Sequence, residues 1–416
     1  MNYIGIIILI TLLIHFIINI FSSYLNIKHL KKEIPQGFEK YFDKTKYEKS
    51  QEYILINSKF DIISDTFNFL ILIIFWFSGG FGFLDKFVRS LDFGFLARGI
   101  LYIGILVISK AILELPFSYY STFVIEEKFG FNKTDLKLYI TDKIKVFFLS
   151  AIIGIPLISV ILLFFKYTGP FSWIWCWAGV GFFMIILQIV FPVWIMPLFN
   201  KFTPLEDGEL KNRVMSFAKE NNFPIENVFV MDGSKRSGKS NAFFTGFGKN
   251  KRLVLFDTII EKHSTDEIIA ILAHETGHYK KKHISMTTVM GILQMGLMFF
   301  ILSFFISFKD LFTAFYVSDV SIYAGLVFFG FLYTPADFFI GLGMLAVSRR
   351  NEFQADSFAV VSTKRKEPLI ETLKKLSADN YSNLVPHPFY VFLNYSHPPV
   401  LSRIKNIKET VIDNKI

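Results

Sequence analysis

Two histidines and a glutamate lie close together in the segment His274-Glu275-Thr276-Gly277-His278. If this segment is helical, the i, i+4 spacing turns both imidazoles onto one face, where a single Zn²⁺ can bind them. Glu275 is then near the metal without being needed as a ligand, so it can act as a general base. The pattern predicts hydrolysis by a metal-activated water molecule, although two histidines at this spacing also occur by chance or at helix interfaces.

A catalytic zinc site needs a third protein ligand and an open position for water. Position 284 is Ile, and His283 falls one residue short of an extended His motif, so we interpret His283 as an interfacial cation or a hydrogen-bonding group. Glu352 is the better candidate, because Asp356 follows it by one helical turn and can accept a hydrogen bond from a ligating imidazole. Without the His motif, this acidic pair would be interpreted as a solvated patch. The predicted ligands of one zinc per chain are His274, His278 and Glu352.

Attack on a carbonyl produces an oxyanion that needs a further hydrogen-bond donor. His397 is our candidate, because Pro398 and Pro399 follow it and restrict the loop that carries it. A surface histidine in a turn is an equally good interpretation of the same residues. Glu275 is expected to take the proton of the attacking water and to return it to the leaving amine.

The composition shows which elements must position these residues. The chain has 416 residues, of which 52% are hydrophobic, and its mean hydropathy of +0.43 excludes an ordinary soluble enzyme. The single cysteine, Cys176, allows neither an intramolecular disulfide nor a cysteine metal site. Seven apolar stretches are expected to span a bilayer, the first as a retained anchor: Ile4–Phe21, Phe67–Phe83, Leu96–Phe123, Val146–Phe165, Trp173–Phe199, Ile284–Phe308 and Ile322–Val347.

The net charge of +9 is concentrated in alternate connections between these stretches. The loops after the first and third stretches are rich in lysine, whereas the opposite loops contain few basic residues. The positive-inside rule therefore places the N-terminus outside, and the 201–283 region and the C-terminus in the cytosol. We interpret the charge as a topology signal and expect no nucleic-acid partner.

This pattern divides the chain into helices 1–5 with basic loops (1–200), a polar lobe (201–283), helices 6–7 (284–348) and a C-terminal part of the lobe (349–416). Strand-like runs at Asn227–Met231 and Arg252–Phe256 predict an α+β lobe. Ser264 and Glu267 have capping-box spacing, so a helix should begin there and run through His278. Because the histidines precede one apolar span and Glu352 follows the next, an antiparallel hairpin would bring the ligands together at the membrane surface.

Several segments resemble the type I CAAX prenyl proteases, a family of membrane-embedded zinc peptidases. They are spread in order over most of the chain: Glu126–Lys133, Pro197–Leu205, Ser240–Gly248, Leu253–Thr258, Ala273–His278, Glu352–Asp356 and Tyr395–Arg403. The resemblance implies an all-α polytopic protein of seven helices enclosing a chamber, closed by a small zinc-peptidase lobe. It also implies removal of the last three residues of prenylated CAAX proteins.

The resemblance assigns roles to individual positions. It implies that His274, His278 and Glu352 are ligands, that Glu275 is the base, and that Asp356 supports a ligand. His397 and Arg403 are implied to contact the substrate or the transition state. The implied substrate-pairing edge strand consists of Asn241, Ala242, Phe243, Phe244, Thr245 and Gly246.

Alternatives remain at this point. The same chemistry could serve quality control of membrane proteins that are not prenylated, in a bacterial inner membrane or in the endoplasmic reticulum, with the active site facing the cytosol. An intramembrane protease of the site-2 type is disfavoured, because Lys280–Lys282 follow the motif. A transporter would instead use Lys110, Glu114, Pro335 and Asp337.

Overall fold

The computed structural model describes residues 1–245 and 251–412, and seven of the described helices are long and apolar enough to cross a membrane. The first five spans are built by α1–α7, with a π-helical turn at Ser121–Glu126. A second π-helical turn, Phe191–Ile195, lies at the end of the fifth span. The helices are α1 (Tyr3–Lys28), α2 (Lys44–Phe77), α3 (Gly80–Ser90), α4 (Phe95–Tyr120), α5 (Glu127–Phe129), α6 (Leu136–Tyr167) and α7 (Ser172–Val190).

The expected bounds of the second span were wrong. Its helix begins at Lys44, because the Asp43 side chain accepts a hydrogen bond from the Lys46 amide at 2.7 Å and caps the first turn. It ends at Phe77, because Gly79 adopts a φ of 76°, and α3 starts after that left-handed residue. The segment Phe67–Phe83 therefore contains a helix boundary instead of an unbroken span.

The polar lobe follows the fifth span and contains a four-stranded sheet in the order β1-β2-β4-β3. β2 and β4 confirm the two expected strands and run parallel, while β1 and β3 add to them antiparallel, so β3 lies at an edge. The elements are β1 (Phe202–Pro204), α8 (Glu209–Glu220), β2 (Ile225–Met231), β3 (Ala242–Thr245), β4 (Lys251–Phe256), α9 (Asp257–Lys262) and α10 (Thr265–Lys280).

The last two spans return to the lobe. The seventh lies in one helix of 42 residues that continues past the membrane stretch into the lobe. The helices are α11 (His283–Phe305), α12 (Lys309–Ala314), α13 (Ile322–Thr363), α14 (Glu367–Asp379), α15 (Pro388–Asn394) and α16 (Val400–Glu409). The expected fold class, a polytopic helical membrane protein with a small α+β lobe, is confirmed.

The membrane spans pack sparsely against one another. In three of them, including Lys44–Phe77 and Leu136–Tyr167, only 6% of the most apolar window is buried. In a close-packed bundle of seven helices, a larger share of each helix would be buried. The low burial therefore indicates that the helices surround a hollow interior. At one end of the bundle the helices do pack closely, because the Phe315 ring stacks on both Trp76 and Phe328. The Trp76 indole also donates to the Ala314 carbonyl at 2.8 Å.

Helix α10 is held in the core of the lobe. The expected capping box is present: the Ser264 hydroxyl accepts from the Glu267 amide, and the Glu267 carboxylate accepts from the Ser264 amide. Ile268 and Leu272 are buried in the same hydrophobic cluster as side chains of β4 and α14. The helix that carries both histidines is therefore fixed at its start and along its buried face.

Candidate metal centre

Helices α10 and α13 cross at Gly277. A Cβ atom at this position would lie 2.9 Å from the Ala355 Cα and 3.1 Å from the Phe358 Cβ, closer than a side chain can approach without displacing a neighbour. The glycine therefore permits the short distance between the two helices. The crossing places His274 and His278 of α10 opposite Glu352 and Asp356 of α13.

The three predicted ligands converge at this crossing. The Nε2 atoms of His274 and His278 are 3.1 Å apart. The carboxylate oxygens of Glu352 lie 3.5 Å from His274 Nε2 and 3.3 Å from His278 Nε2. Within residues 1–245 and 251–412, this is the one group of three such side chains whose donor atoms all lie within 4.8 Å of one another.

This donor set fits a zinc ion. Two histidines and one glutamate form a known catalytic zinc site, and tetrahedral ligands at about 2.0–2.2 Å are about 3.3–3.6 Å from each other. The Oε2 atom of Glu352 is buried and accepts no well-formed hydrogen bond, although His274 Nε2 and an Arg403 nitrogen lie 3.5 and 3.4 Å from it, so a metal can bind this oxygen. Burial opposes protonation of His274, but the nearby carboxylates of Asp356 and Glu352 outweigh it and raise its pKa to about 9. A metal must therefore compete with a proton at this ring.

Behind His274 lies a carboxylate that is itself paired. His274 Nδ1 is 2.9 Å from Asp356 Oδ1, so the far nitrogen of the ring is held while Nε2 faces the other ligands. Asp356 is fully buried, and Arg403 binds it with two hydrogen bonds of 2.7 and 2.9 Å. A third guanidinium nitrogen of Arg403 is 3.4 Å from Glu352. The structure thus brings both residues to the ligands, with Arg403 engaged by two carboxylates.

Behind His278 lies a neutral chain of hydrogen-bonding groups. His283 Nδ1 is 3.0 Å from His278 Nδ1, and His283 Nε2 is 3.0 Å from the Gln354 side-chain oxygen. The hydrogen-bonding interpretation of His283 is confirmed, but the sequence analysis missed that its partner is a ligand histidine. The left-handed Lys282, with φ of 57°, separates α10 from α11 and turns His283 back toward the site. No local pattern marks that turn.

Glu275 and His397 flank the ligands. Burial raises the pKa of Glu275, while the neighbouring His274 and His278 lower it. The Nε2 atom of His397 is 3.3 Å from Glu352 Oε1, and 64% of its side chain is exposed. His397 therefore borders the ligand cluster on its open side.

A partly buried arginine holds the loop of His397. The Arg349 guanidinium donates to the Tyr395 carbonyl at 2.7 Å and to the Val391 carbonyl at 3.3 Å, at the end of α15. Arg349 lies one turn before Glu352 on α13, so a single helix positions both the ligand and the His397 loop. The sequence analysis assigned Arg349 no role.

The predicted edge strand adjoins α10. Ala242–Thr245 form β3, Asn241 precedes it, and Gly246 lies outside the described residues. The Phe244 ring packs on Phe223 at 4.8 Å between centroids, and Phe223 packs on Tyr279, which follows His278, at 5.2 Å. The strand is thereby coupled to the end of the ligand helix.

Two family models together match nearly the whole chain. The model for the CAAX prenyl protease N-terminal region with five membrane helices matches residues 23–201, and that for peptidase family M48 matches residues 204–411. The chain belongs to peptidase family M48. The two matches meet at β1, where the polar lobe begins after the fifth membrane span.

Individual relatives resemble this M48 peptidase along their whole length. It is 36% identical to a CAAX prenyl protease 1 homolog of Arabidopsis thaliana, with 93% of this chain and 94% of the relative covered. The CAAX prenyl protease 1 of Saccharomyces cerevisiae is also 36% identical, over 92% and 91% of the two chains. The crystal structure of S. mikatae Ste24p superposes with a TM-score of 0.92 at 33% identity, covering 98% of this chain and 99% of that one.

The family and the geometry together identify a membrane metallopeptidase that acts on peptides or proteins. The predicted transport pathway is not favoured. Lys110 and Glu114 form an ion pair of 3.6 Å with each other, and Asp337 accepts a hydrogen bond from Gln294 at 3.1 Å, so these polar groups pair within the helices.

Proposed function

We propose that this protein is a zinc-dependent membrane endopeptidase that cleaves prenylated CAAX-type proteins or peptides near their C-terminus. One observation carries the proposal: His274, His278 and Glu352 converge within 4.8 Å, with Glu275 on the same helix as the two histidines. The substrate class is suggested by the names of the relatives, which are CAAX prenyl proteases over the same length of chain.

In this proposal one zinc ion is held by His274, His278 and Glu352. Bound there, zinc lowers the pKa of a water molecule to about 7 and polarises a carbonyl group. Glu275 takes the proton of the attacking water and returns it to the leaving amine. Asp356 fixes the His274 ring, and its ion pair with Arg403 keeps that carboxylate in place.

His397 donates a hydrogen bond to the oxyanion. Its position at the open side of the ligand cluster, 3.3 Å from Glu352, supports this role. Its loop is held by Arg349, so the donor does not have to be ordered at the moment of reaction. We assign Arg403 to the support of Asp356 and Glu352, from where its charge also stabilises the transition state.

The substrate lies along β3 as an added strand. The Phe256 amide donates to the Asn241 carbonyl at 3.1 Å, so Asn241, Phe243 and Thr245 direct their backbone groups toward β4. The alternation directs those of Ala242 and Phe244 toward the sheet edge. Pairing through backbone groups would hold substrates of different sequence in one extended conformation.

The deciding experiment compares two substrates. The purified protein is incubated with a farnesylated CAAX peptide and with its unprenylated twin, and the products are identified by mass spectrometry. We expect release of the C-terminal tripeptide from the farnesylated peptide, abolished by a chelator and restored by zinc. Equal cleavage of both peptides would favour quality control of non-prenylated substrates, and cleavage of neither would refute the proposed activity.

We further propose that the lobe faces the cytosol, because the lysine-rich connections lie on its side of the membrane. Lys235 of the lobe is exposed, and so is Ser318, which lies between α12 and α13 at the opposite end of the last span. In a Cys176→Ala background, cysteines at positions 235 and 318 should react with a membrane-impermeant thiol reagent from opposite sides. Labelling of both from one side would refute this orientation.

A further inference from the structure

The segment before the edge strand is attached to the membrane helices. Residues 233–241, here called the anchor segment, begin with a short 3₁₀ helix at Gly233–Lys235 and lead directly into β3. The side chains and backbone of the anchor segment contact three membrane helices near their ends, at two separate places.

The first attachment is a cluster around Lys239. Its ammonium group is 2.8 Å from the Tyr53 hydroxyl on α2 and 3.0 Å from the Glu126 carboxylate. Tyr53 also donates to Glu126 at 2.5 Å, so the three groups bind one another. The rings of Tyr53 and Phe131 lie 5.2 and 4.8 Å from the ammonium, within the range of cation–π attraction. The ion pair is partly shielded, since 34% of Lys239 and 22% of Glu126 is exposed.

Glu126 is the last residue of the π-helical turn Ser121–Glu126 in the third span. Turns of this kind are rare in proteins overall, but those that occur are frequently found at functional sites. Here the turn ends at the residue that binds the anchor segment. The Glu126 carbonyl also accepts from the amides of Phe131 and Asn132, which orders the loop beneath Lys239.

The second attachment is formed by Arg236. Its guanidinium binds the Asp142 carboxylate of α6 through two hydrogen bonds, of 2.8 and 3.1 Å. Backbone bonds reinforce it: the Lys133 amide donates to the Arg236 carbonyl, and the Gly238 amide donates to the Phe131 carbonyl. Between them, Asn132 and Ser237 form an antiparallel bridge. A bidentate arginine pair fixes direction as well as distance.

On its other side, the anchor segment is held by the lobe. The Asn380 side chain accepts from the Ser240 amide at 3.1 Å and donates to the Ser240 carbonyl at 3.3 Å, as a neighbouring strand would. Asn380 also lines a cavity of about 580 Å³ that reaches His397 and Arg403. The start of β3 is therefore fixed both to the lobe, through Asn380, and to the membrane helices.

We propose that Lys239, Glu126 and Tyr53 are positioning residues that set the distance between the membrane helices and β3, and so determine which peptide bond of a membrane-anchored substrate reaches the metal ligands. The inference rests on the proposed function. A lipidated substrate is held at two points, by its lipid in the membrane and by its backbone on β3. Because an extended chain advances about 3.3 Å per residue, a displacement of that size presents the neighbouring bond.

The test compares Lys239→Met with Lys128→Met. Lys128 forms an exposed ion pair of 2.6 Å with Glu52 near the same ends of the same helices. Among the described residues it forms no hydrogen bond or ion pair with the anchor segment, so it is a matched control. The substrates are a farnesylated CAAX peptide in phosphatidylcholine vesicles and the same peptide without lipid in solution. Products are identified by mass spectrometry, and bound zinc is measured in every variant.

For the anchored peptide, Lys239→Met should lower kcat/KM about tenfold, the effect of one charge-assisted hydrogen bond, and should add products cut at the neighbouring bond. For the unlipidated peptide the change should stay within about twofold, because β3 and Asn380 remain in place. Zinc content should be unchanged. The reversed pair Glu126→Lys with Lys239→Glu should recover a single product.

Each other outcome contradicts the inference. If Lys239→Met matches Lys128→Met on the anchored peptide, the cluster does not position β3. Equal losses on both peptides, or loss of zinc, would show that the cluster only stabilises the fold. If the wild-type protein cleaves neither peptide, the proposed function fails and this inference fails with it. If the wild-type protein cleaves the peptides, any difference between the two variants tests the inference alone.

Discussion

The metal centre and the edge strand are neighbouring parts of one lobe that are built in opposite ways. Each histidine of the centre is held from behind, His274 by Asp356 at 2.9 Å and His278 by His283 at 3.0 Å. In contrast, β3 is four residues long and pairs with β4 on one side. If β3 binds the substrate as we propose, precise geometry is confined to the atoms that react, and the strand that holds a chain of variable sequence is supported mainly through its pairing with β4.

The largest losses of activity should come from variants that remove a metal ligand or the general base. We expect His274→Ala, His278→Ala and Glu352→Ala to lose both zinc and activity, because each removes one of three ligands. Glu275→Gln should keep zinc and lose activity by a factor of about 10²–10⁴, the usual contribution of a general base. Zinc content, determined by metal analysis, and kcat are measured for all four variants. A zinc-free Glu275→Gln protein or a fully active Glu352→Ala protein would contradict the assignment.

The two supports behind the histidines should differ in strength. Asp356→Asn removes a charged acceptor from His274 and leaves Arg403 without its bidentate partner, so we expect zinc affinity to fall about 10–100-fold. His283→Gln replaces one neutral hydrogen-bonding group by another, so it should lower zinc affinity less than Asp356→Asn does. Zinc competition titrations compare the two variants. Equal losses would show that the charge of Asp356 is unimportant.

The open side of β3 can be tested with a pair of prolines. Proline at Phe244 removes an amide directed to the sheet edge and should lower kcat/KM about tenfold at unchanged zinc content. Proline at Thr245 removes an amide directed to β4 and should lower the thermal stability of the lobe instead. Alanine at each position keeps the amide and serves as the control. A stable, fully active Phe244→Pro protein would refute pairing of the substrate with this edge.

The smallest effect concerns the support at the start of α10. His263 is buried, its Nδ1 is 3.0 Å from Glu267, and burial together with the nearby Lys375 lowers its pKa. The folded protein therefore keeps this ring neutral where the unfolded chain, with a pKa near 6.5, takes up a proton. The stability contribution is present above about pH 6.5 and is lost as the pH falls through the folded pKa.

This prediction is checked by the melting temperature of the lobe. Between pH 7.5 and 5.5 the wild-type protein should lose more stability than His263→Gln, which does not titrate in this range. If the variant loses as much as the wild type, His263 is not the group responsible. Zinc content at pH 7.5 should be the same in both, because His263 lies about three helical turns from His274.

Features of the site that depend on local sequence were predictable. The spacing of His274 and His278, the capping box at Ser264 and the strands β2 and β4 each follow from a short stretch of chain. The start of α2 at Lys44 did not follow, because the lysine- and glutamate-rich residues after it have no apolar signal. The bond between His283 and His278 depends on a left-handed turn at Lys282 and on the packing of Gln354 from another helix, which no local pattern contains.

The unbroken course of α13 has a mechanical consequence. At 42 residues it is about 63 Å long, twice the thickness of a hydrocarbon layer of about 30 Å, and Glu352 lies past its apolar stretch. From Pro335, where the helix lacks a backbone donor, to Glu352 the arm measures about 25 Å, so a tilt of about 5° displaces the carboxylate by about 2 Å. Catalytic geometry tolerates only about 0.5 Å. If Glu352 binds the metal as we propose, a bilayer whose thickness changes the inclination of α13 would displace a metal ligand.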